Sequence, residues 1–127
     1  MSYYYNKTVS GEFEEVIEKV TASLKEQGFG VLTEINFSGT LKKKLDVDIP
    51  NYRILGACNP KFAYQAYQNE SNIGVMLPCN VIIRQVEGGV DVAAVDPIAS
   101  MQGVGNKNLE AIASEVQMKL NAAIDAV

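Results

Sequence analysis

The sequence contains no histidine and no tryptophan, and it has two cysteines. The missing histidine excludes most. It removes the side chain that titrates nearest neutral pH and the commonest metal ligand. Ser-His-Asp and Cys-His mechanisms are excluded within one chain, as are zinc sites that use His. Basic charge is also scarce. There are 11 Lys and Arg against 15 Asp and Glu, for a net charge of −4. Phosphate binding needs a basic face, so no nucleic-acid partner is expected. The one basic run, Lys42-Lys43-Lys44, has no interleaved aromatics and reads as a solvated face. No stretch approaches the roughly 18 apolar residues of a membrane span, so no membrane partner is expected either. Met1-Ser2-Tyr3-Tyr4-Tyr5 lacks the charged and apolar regions of a signal peptide. The chain is therefore expected in the cytoplasm, with its cysteines as free thiols.

What is present is ordinary for a globular protein. Hydrophobic residues make up 47% and charged residues 20% of 127 residues, which fits one domain over residues 1–127. Residues 2–10 alternate loosely and read as a strand. Ser10-Gly11 then marks a helix start, with Glu12, Glu14 and Glu15 in the first turn, where the helix dipole favours acids. Phe13, Val16, Ile17, Val20 and Leu24 form an apolar stripe, and Gly28 is the stop. Residues 30–37 alternate as a half-buried strand, with Val31, Thr33, Ile35 and Phe37 on one face. Ser38 is expected to cap a short helix carrying Leu41 and Leu45. Residues 52–58 read as a strand in which Gly56 and Ala57 allow close approach of another backbone. Asn59-Pro60 opens a further helix, with Asn59 as the cap and Phe62, Ala63, Ala66 and Tyr67 on its apolar side.

Residues 70–78 show no clear period, and four of the five residues from Ile73 to Leu77 are large and apolar. They read as a strand extension or as a loop over a surface, and their apolar side chains suggest an interface between two copies of the chain. Residues 81–86 and 90–95 form a hairpin about Gly88-Gly89. Asp96-Pro97 ends it, and a loop runs to Gly105. Asn106 caps a last helix carrying Leu109, Ile112, Ala113, Val116, Leu120, Ala123, Ile124 and Val127. The order β-α-β-α-β-α-β-β-α predicts an α+β fold: an antiparallel or mixed sheet with helices packed mainly on one face.

Candidate chemistry is thin. Cys58 ends a strand and Cys79 begins one, so the two thiols could meet and bind a soft metal or cycle as a disulfide. Two ligands do not complete a tetrahedral site, and buried free cysteines commonly act as small apolar residues. Gly103-Val104-Gly105-Asn106 is not a dinucleotide fingerprint, because the third glycine position is Asn108. Arg84, within an apolar strand, reads as facing solvent, a salt-bridge partner or a ligand. No catalytic residue, metal site or cofactor is assigned.

Five blocks carry a resemblance: residues 28–34, Thr40-Leu41-Lys42, residues 52–60, residues 77–81 and Asp96-Pro97. Together they resemble the bacterial and archaeal family catalogued as domain of unknown function number three hundred and two. The resemblance covers nearly the whole chain, and its two Cys-Asn segments are its specific part. It implies an α+β fold, a dimer and no established catalysis. Cys58, Asn59, Pro60, Leu77, Pro78, Cys79 and Asn80 occupy the family's signature segments and are the candidate ligand-binding residues. The favoured reading is a cytoplasmic homodimeric ligand-binding or sensory module that takes a small molecule. The alternative is a thiol-based soft-metal or redox protein using Cys58 and Cys79. An enzyme using carboxylates or a cysteine is less favoured.

Overall fold

The predicted stripe of Phe13, Val16, Ile17, Val20 and Leu24 lies buried along helix α1 (Phe13–Glu26). This is the behaviour expected of apolar side chains at helical spacing. A computed structural model describes residues 2–127. Helix α1 follows strand β1 (Tyr4–Val9) and leads through β2 (Gly30–Asn36) to α2 (Phe37–Leu45). Strand β3 (Tyr52–Cys58), α3 (Pro60–Asn69), β4 (Cys79–Val86) and β5 (Gly89–Val95) come next. Helices α4 (Pro97–Met101) and α5 (Glu110–Asp125) complete the chain. Short 3₁₀ turns occupy Ser71–Met76, Gln102–Val104 and Lys107–Leu109.

The strands form one sheet in the order β1-β5-β4-β3-β2. All four pairings are antiparallel, which resolves the antiparallel or mixed sheet expected from the sequence. One face carries the helices. Leu55, Val81, Ile83, Val90, Val92 and Ala94 alternate onto it and pack against α1, α3 and α5 in the main core. From α5, Val116, Leu120, Ala123 and Ile124 join them. Each buried Leu, Ile and Val among them contributes roughly 1.5–3 kcal/mol by leaving water.

Several local details differ from the sequence reading. Strand β2 is an exposed edge rather than half-buried, because it ends the strand order, and a register shift between Val31 and Thr33 interrupts its alternation. Val31 stays on the core side opposite Ala57, whereas Thr33 and Ile35 face the other way, opposite Gly56 and Ile54. Asn36, not Ser38, caps α2, accepting from Gly39 N at 2.9 Å. Ser38 Oγ instead accepts from Tyr52 N at 3.1 Å and anchors the start of β3. The hairpin turn is Glu87-Gly88, one residue earlier than expected, since Val86 pairs with Gly89. A Cβ on Gly89 would strike the Val9 carbonyl oxygen of neighbouring β1, so that glycine serves close strand approach. Residues 97–101, read as loop, form α4. Asp96 accepts from Ile98 N at 2.9 Å and Ala99 N at 3.4 Å, and Pro97 takes the first helical turn. Finally, residues 71–76 are a 3₁₀ turn with Ile73 buried, neither strand nor open loop.

Candidate functional site

The two Cys-Asn segments are brought together by strand pairing. Ala57 lies opposite Cys79, and Gly56 opposite Asn80, at one end of the β3–β4 ladder. Side chains on that end sort by face. Cys58, Asn59, Leu77, Pro78 and Cys79 line one cavity between the sheet end and the helices. Pro60 is exposed at the first turn of α3, and Asn80 points to a groove on the opposite sheet face. Five of the seven candidate residues therefore share a cavity, and two do not.

The cavity encloses about 50 Å³. Its other walls are apolar and come from distant parts of the chain, chiefly Phe29, Phe62, Met101, Leu109 and Val116. An engineered apolar cavity of about 150 Å³ accepts benzene and stays dry otherwise. The present space holds a few heavy atoms unless its walls move. Leu77-Pro78 is a cis peptide, and the Pro78 ring sits over β3. A Cβ on Gly56 would lie 2.7 Å from Pro78 Cγ and would also meet Thr33 Oγ1. The glycine therefore makes room for two side chains, where the sequence suggested another backbone.

The polar groups at the cavity do structural work. Asn59 stands at the N-cap of α3 but makes no side-chain capping bond there. Its Nδ2 donates to Gln27 O at 3.4 Å, tying the end of β3 to the end of α1. Cys58 and Cys79 are free thiols. Burial, with a smaller contribution from the Cys58 charge, pushes the Cys79 thiol up to about 11. It remains protonated at neutral pH, whereas a reactive or metal-binding cysteine needs the thiolate. Among the described residues no three His, Cys, Asp or Glu side chains cluster to hold a metal ion.

The opposite sheet face has a shallow groove of about 450 Å³ that includes Tyr52, Asn80, Ile82, Arg84 and Asp91. Asp91 is 4% exposed. Its Oδ1 accepts from Asn6 Nδ2 at 2.9 Å and from Thr8 Oγ1 at 3.1 Å. Arg84 Nε lies 3.6 Å from Asp91 Oδ2. Arg84, flagged by its place in an apolar strand, thus has a salt-bridge partner.

The family model described as a domain of unknown function, DUF302, matches residues 5–127. The chain belongs to the DUF302 family. A crystal structure described as that of an uncharacterised conserved DUF302 protein from Bacillus stearothermophilus is 28% identical. It superposes with a TM-score of 0.93 over 99% of this chain and 98% of that one. No curated protein matches the chain. The family resemblance read from the five blocks is therefore correct, and a DUF302 assignment brings no established function. Among the described residues no helix is long and apolar enough to cross a membrane.

The sequence did not flag Phe29, Met101 or Leu109 as site residues. Phe29 adjoins the Gly28 stop, Met101 falls in the expected loop, and Leu109 belongs to the last helical stripe. Only the tertiary fold brings them to one cavity.

Proposed function

We propose that this chain is a cytoplasmic homodimeric binding module whose ligand is a small apolar molecule held in the cavity beside Cys58 and Cys79. The observation that carries the reading is the convergence of five signature-segment residues on one apolar space. Apolar walls with few polar groups are the usual construction of a small-molecule site. The thiols serve as wall atoms in this reading, in keeping with the raised Cys79 pKa of about 11.

The test is titration of methyl-labelled protein with xenon. Saturable shifts confined to Leu77, Leu109, Ile112 and Val116 are the expected result. At tenfold excess over its dissociation constant, a ligand stabilises by about 1.4 kcal/mol, raising Tm by roughly 5 °C. Ala113→Leu, which fills the cavity from α5, abolishes the shifts, and Ala63→Val gives the same result from α3. Absence of saturable shifts in the wild-type protein overturns the reading.

A further inference from the structure

The sheet face turned away from the helices has a composition unlike that of a solvated surface. Ile35 pairs with Ile54, Ile54 with Ile82, and Ile82 with Ala93. These residues form a continuous apolar row across β2, β3, β4 and β5, ending at Asn6 on β1. Their chain neighbours Leu55, Val81, Ile83, Val92 and Ala94 belong to the helix-covered core. Strand alternation therefore places the isoleucine row on the other face. Ile35 is 48% exposed, and Ile54 and Ile82 are half-buried. An antiparallel sheet face meant for water carries polar side chains at such positions.

The charge on this face is equally distinctive. Among the described residues, Arg84 and Asp91 are the charged side chains directed to it, and they pair with each other. They flank the isoleucine row, with Tyr52 opposite Arg84 and Thr8 opposite Asp91. The chain has 11 basic and 15 acidic residues, so nearly all of its charge lies elsewhere. A molecule of net charge −4 thus presents one face that is electrically neutral. Two copies can meet there without repulsion. An apolar centre with charge depleted and a polar rim of Thr, Asn and Tyr is the anatomy of a protein interface.

The size is sufficient. Five strands spaced about 4.8 Å apart, each about 20 Å long, give a face of roughly 500 Å² in projection. Two such faces bury about 1,000 Å², the lower bound for a specific interface. Ile82 lies on β4, the central strand of the order β1-β5-β4-β3-β2. A two-fold axis near Ile82 lays one isoleucine row across its equivalent in the partner, as isologous contacts require.

We infer that this chain dimerises through the uncovered face of its sheet, with the row of Ile35, Ile54 and Ile82 packed against its equivalent in a two-sheet sandwich. The inference rests on the dimer in the proposed function and names the surface that makes it. It also displaces the apolar segment at residues 73–78 as the interface. Ile73 is buried in its own chain, leaving Val75 and Met76 as the exposed apolar side chains there.

Sedimentation equilibrium of the wild type, Ile82→Lys, Ile35→Lys and Val75→Lys tests it. The expected wild type is a dimer of 13.8 kDa chains. Each isoleucine variant buries two new charges in the interface, because both copies carry it, and should weaken the dimer about 100-fold. Val75→Lys should leave it intact. If Ile82→Lys fails to fold, the half-exposed Ile35→Lys decides. A dimeric wild type with dimeric isoleucine variants overturns the surface and leaves the dimer standing. A monomeric wild type overturns both, and loss of the dimer in Val75→Lys alone returns the interface to residues 73–78.

Discussion

The two faces of the sheet are built from the same strands but face different surroundings. On the covered face Leu55, Val81 and Ile83 are fully buried under α1 and α5. On the open face Ile35, Ile54 and Ile82, some of them immediate chain neighbours of those residues, retain exposure within the single chain. The comparison teaches that the apolar content of these strands exceeds what one chain can bury. The surplus is organised as a row rather than scattered, and a row is what a mating surface needs.

The largest expected effect tests the covered face. Ile83→Ala should cost about 2–5 kcal/mol, because it removes buried methylenes and leaves a cavity. Ile35→Ala, measured in dilute solution where any dimer dissociates, should cost less than about 1 kcal/mol, since its site is already half in water. Urea denaturation of both variants checks the contrast, and equal costs would erase the distinction between the faces.

Gly56→Ala probes an open-face position that is sealed within the chain. The added Cβ meets the Pro78 ring and the Thr33 hydroxyl. The expected cost is about 1–3 kcal/mol by overpacking, with the cavity-lining Leu77 methyls shifting in NMR spectra. A neutral substitution would mean that Pro78 yields freely.

Cys79 supplies a pH dependence on the covered side. Burial raises its pKa from 9.0 to about 11 in the folded chain. The folded state therefore holds the proton more tightly than the unfolded state. This contribution is fully present below pH 9 and is lost as pH rises through about 11. The wild type should lose about 2 kcal/mol relative to Cys79→Ala between pH 8 and pH 11. Thermal denaturation of both proteins across that range isolates the effect from the tyrosines and lysines common to both. A constant difference would place the thiol in water.

The smallest effect concerns the rim. Arg53 bridges Glu34 at 2.6 Å and Glu14 at 3.0 Å, linking β3 to β2 and α1. Both carboxylates are largely exposed, so Glu34→Gln should cost less than about 1 kcal/mol, a loss that added salt in a denaturation series should mask.

Much of the covered face was legible in the sequence because it is written in local periodicity. The stripes of α1 and α5 repeat at helical spacing, and their buried residues are those the stripes name. The hairpin was legible from its glycines to within one residue. Helix α4 was missed because Asp96-Pro97 serves equally as a strand stop and a helix cap. The β2 irregularity at Leu32 was missed because it interrupts pairing without interrupting the alternation of residue types. Residues 71–76 showed no period because a 3₁₀ turn repeats at three residues and is too short to display it. Of the site, the two Cys-Asn segments were legible, whereas the walls contributed by Phe29, Met101 and Leu109 were not. The isoleucine row was invisible for a related reason. Strands β2 and β3 show one isoleucine each and β4 shows Ile82 and Ile83 in succession, and only the register aligns Ile35, Ile54 and Ile82.

The most direct test of the contrast between the faces uses isoleucine and valine methyl resonances with an inert paramagnetic chelate in the solvent. In dilute protein Ile35, Ile54 and Ile82 should relax strongly while Ile83 does not. As protein concentration rises, those three should become protected together and the exposed Val75 should not. Relaxation of the three isoleucines that stays the same at every concentration would contradict the account and leave the open face a solvated surface.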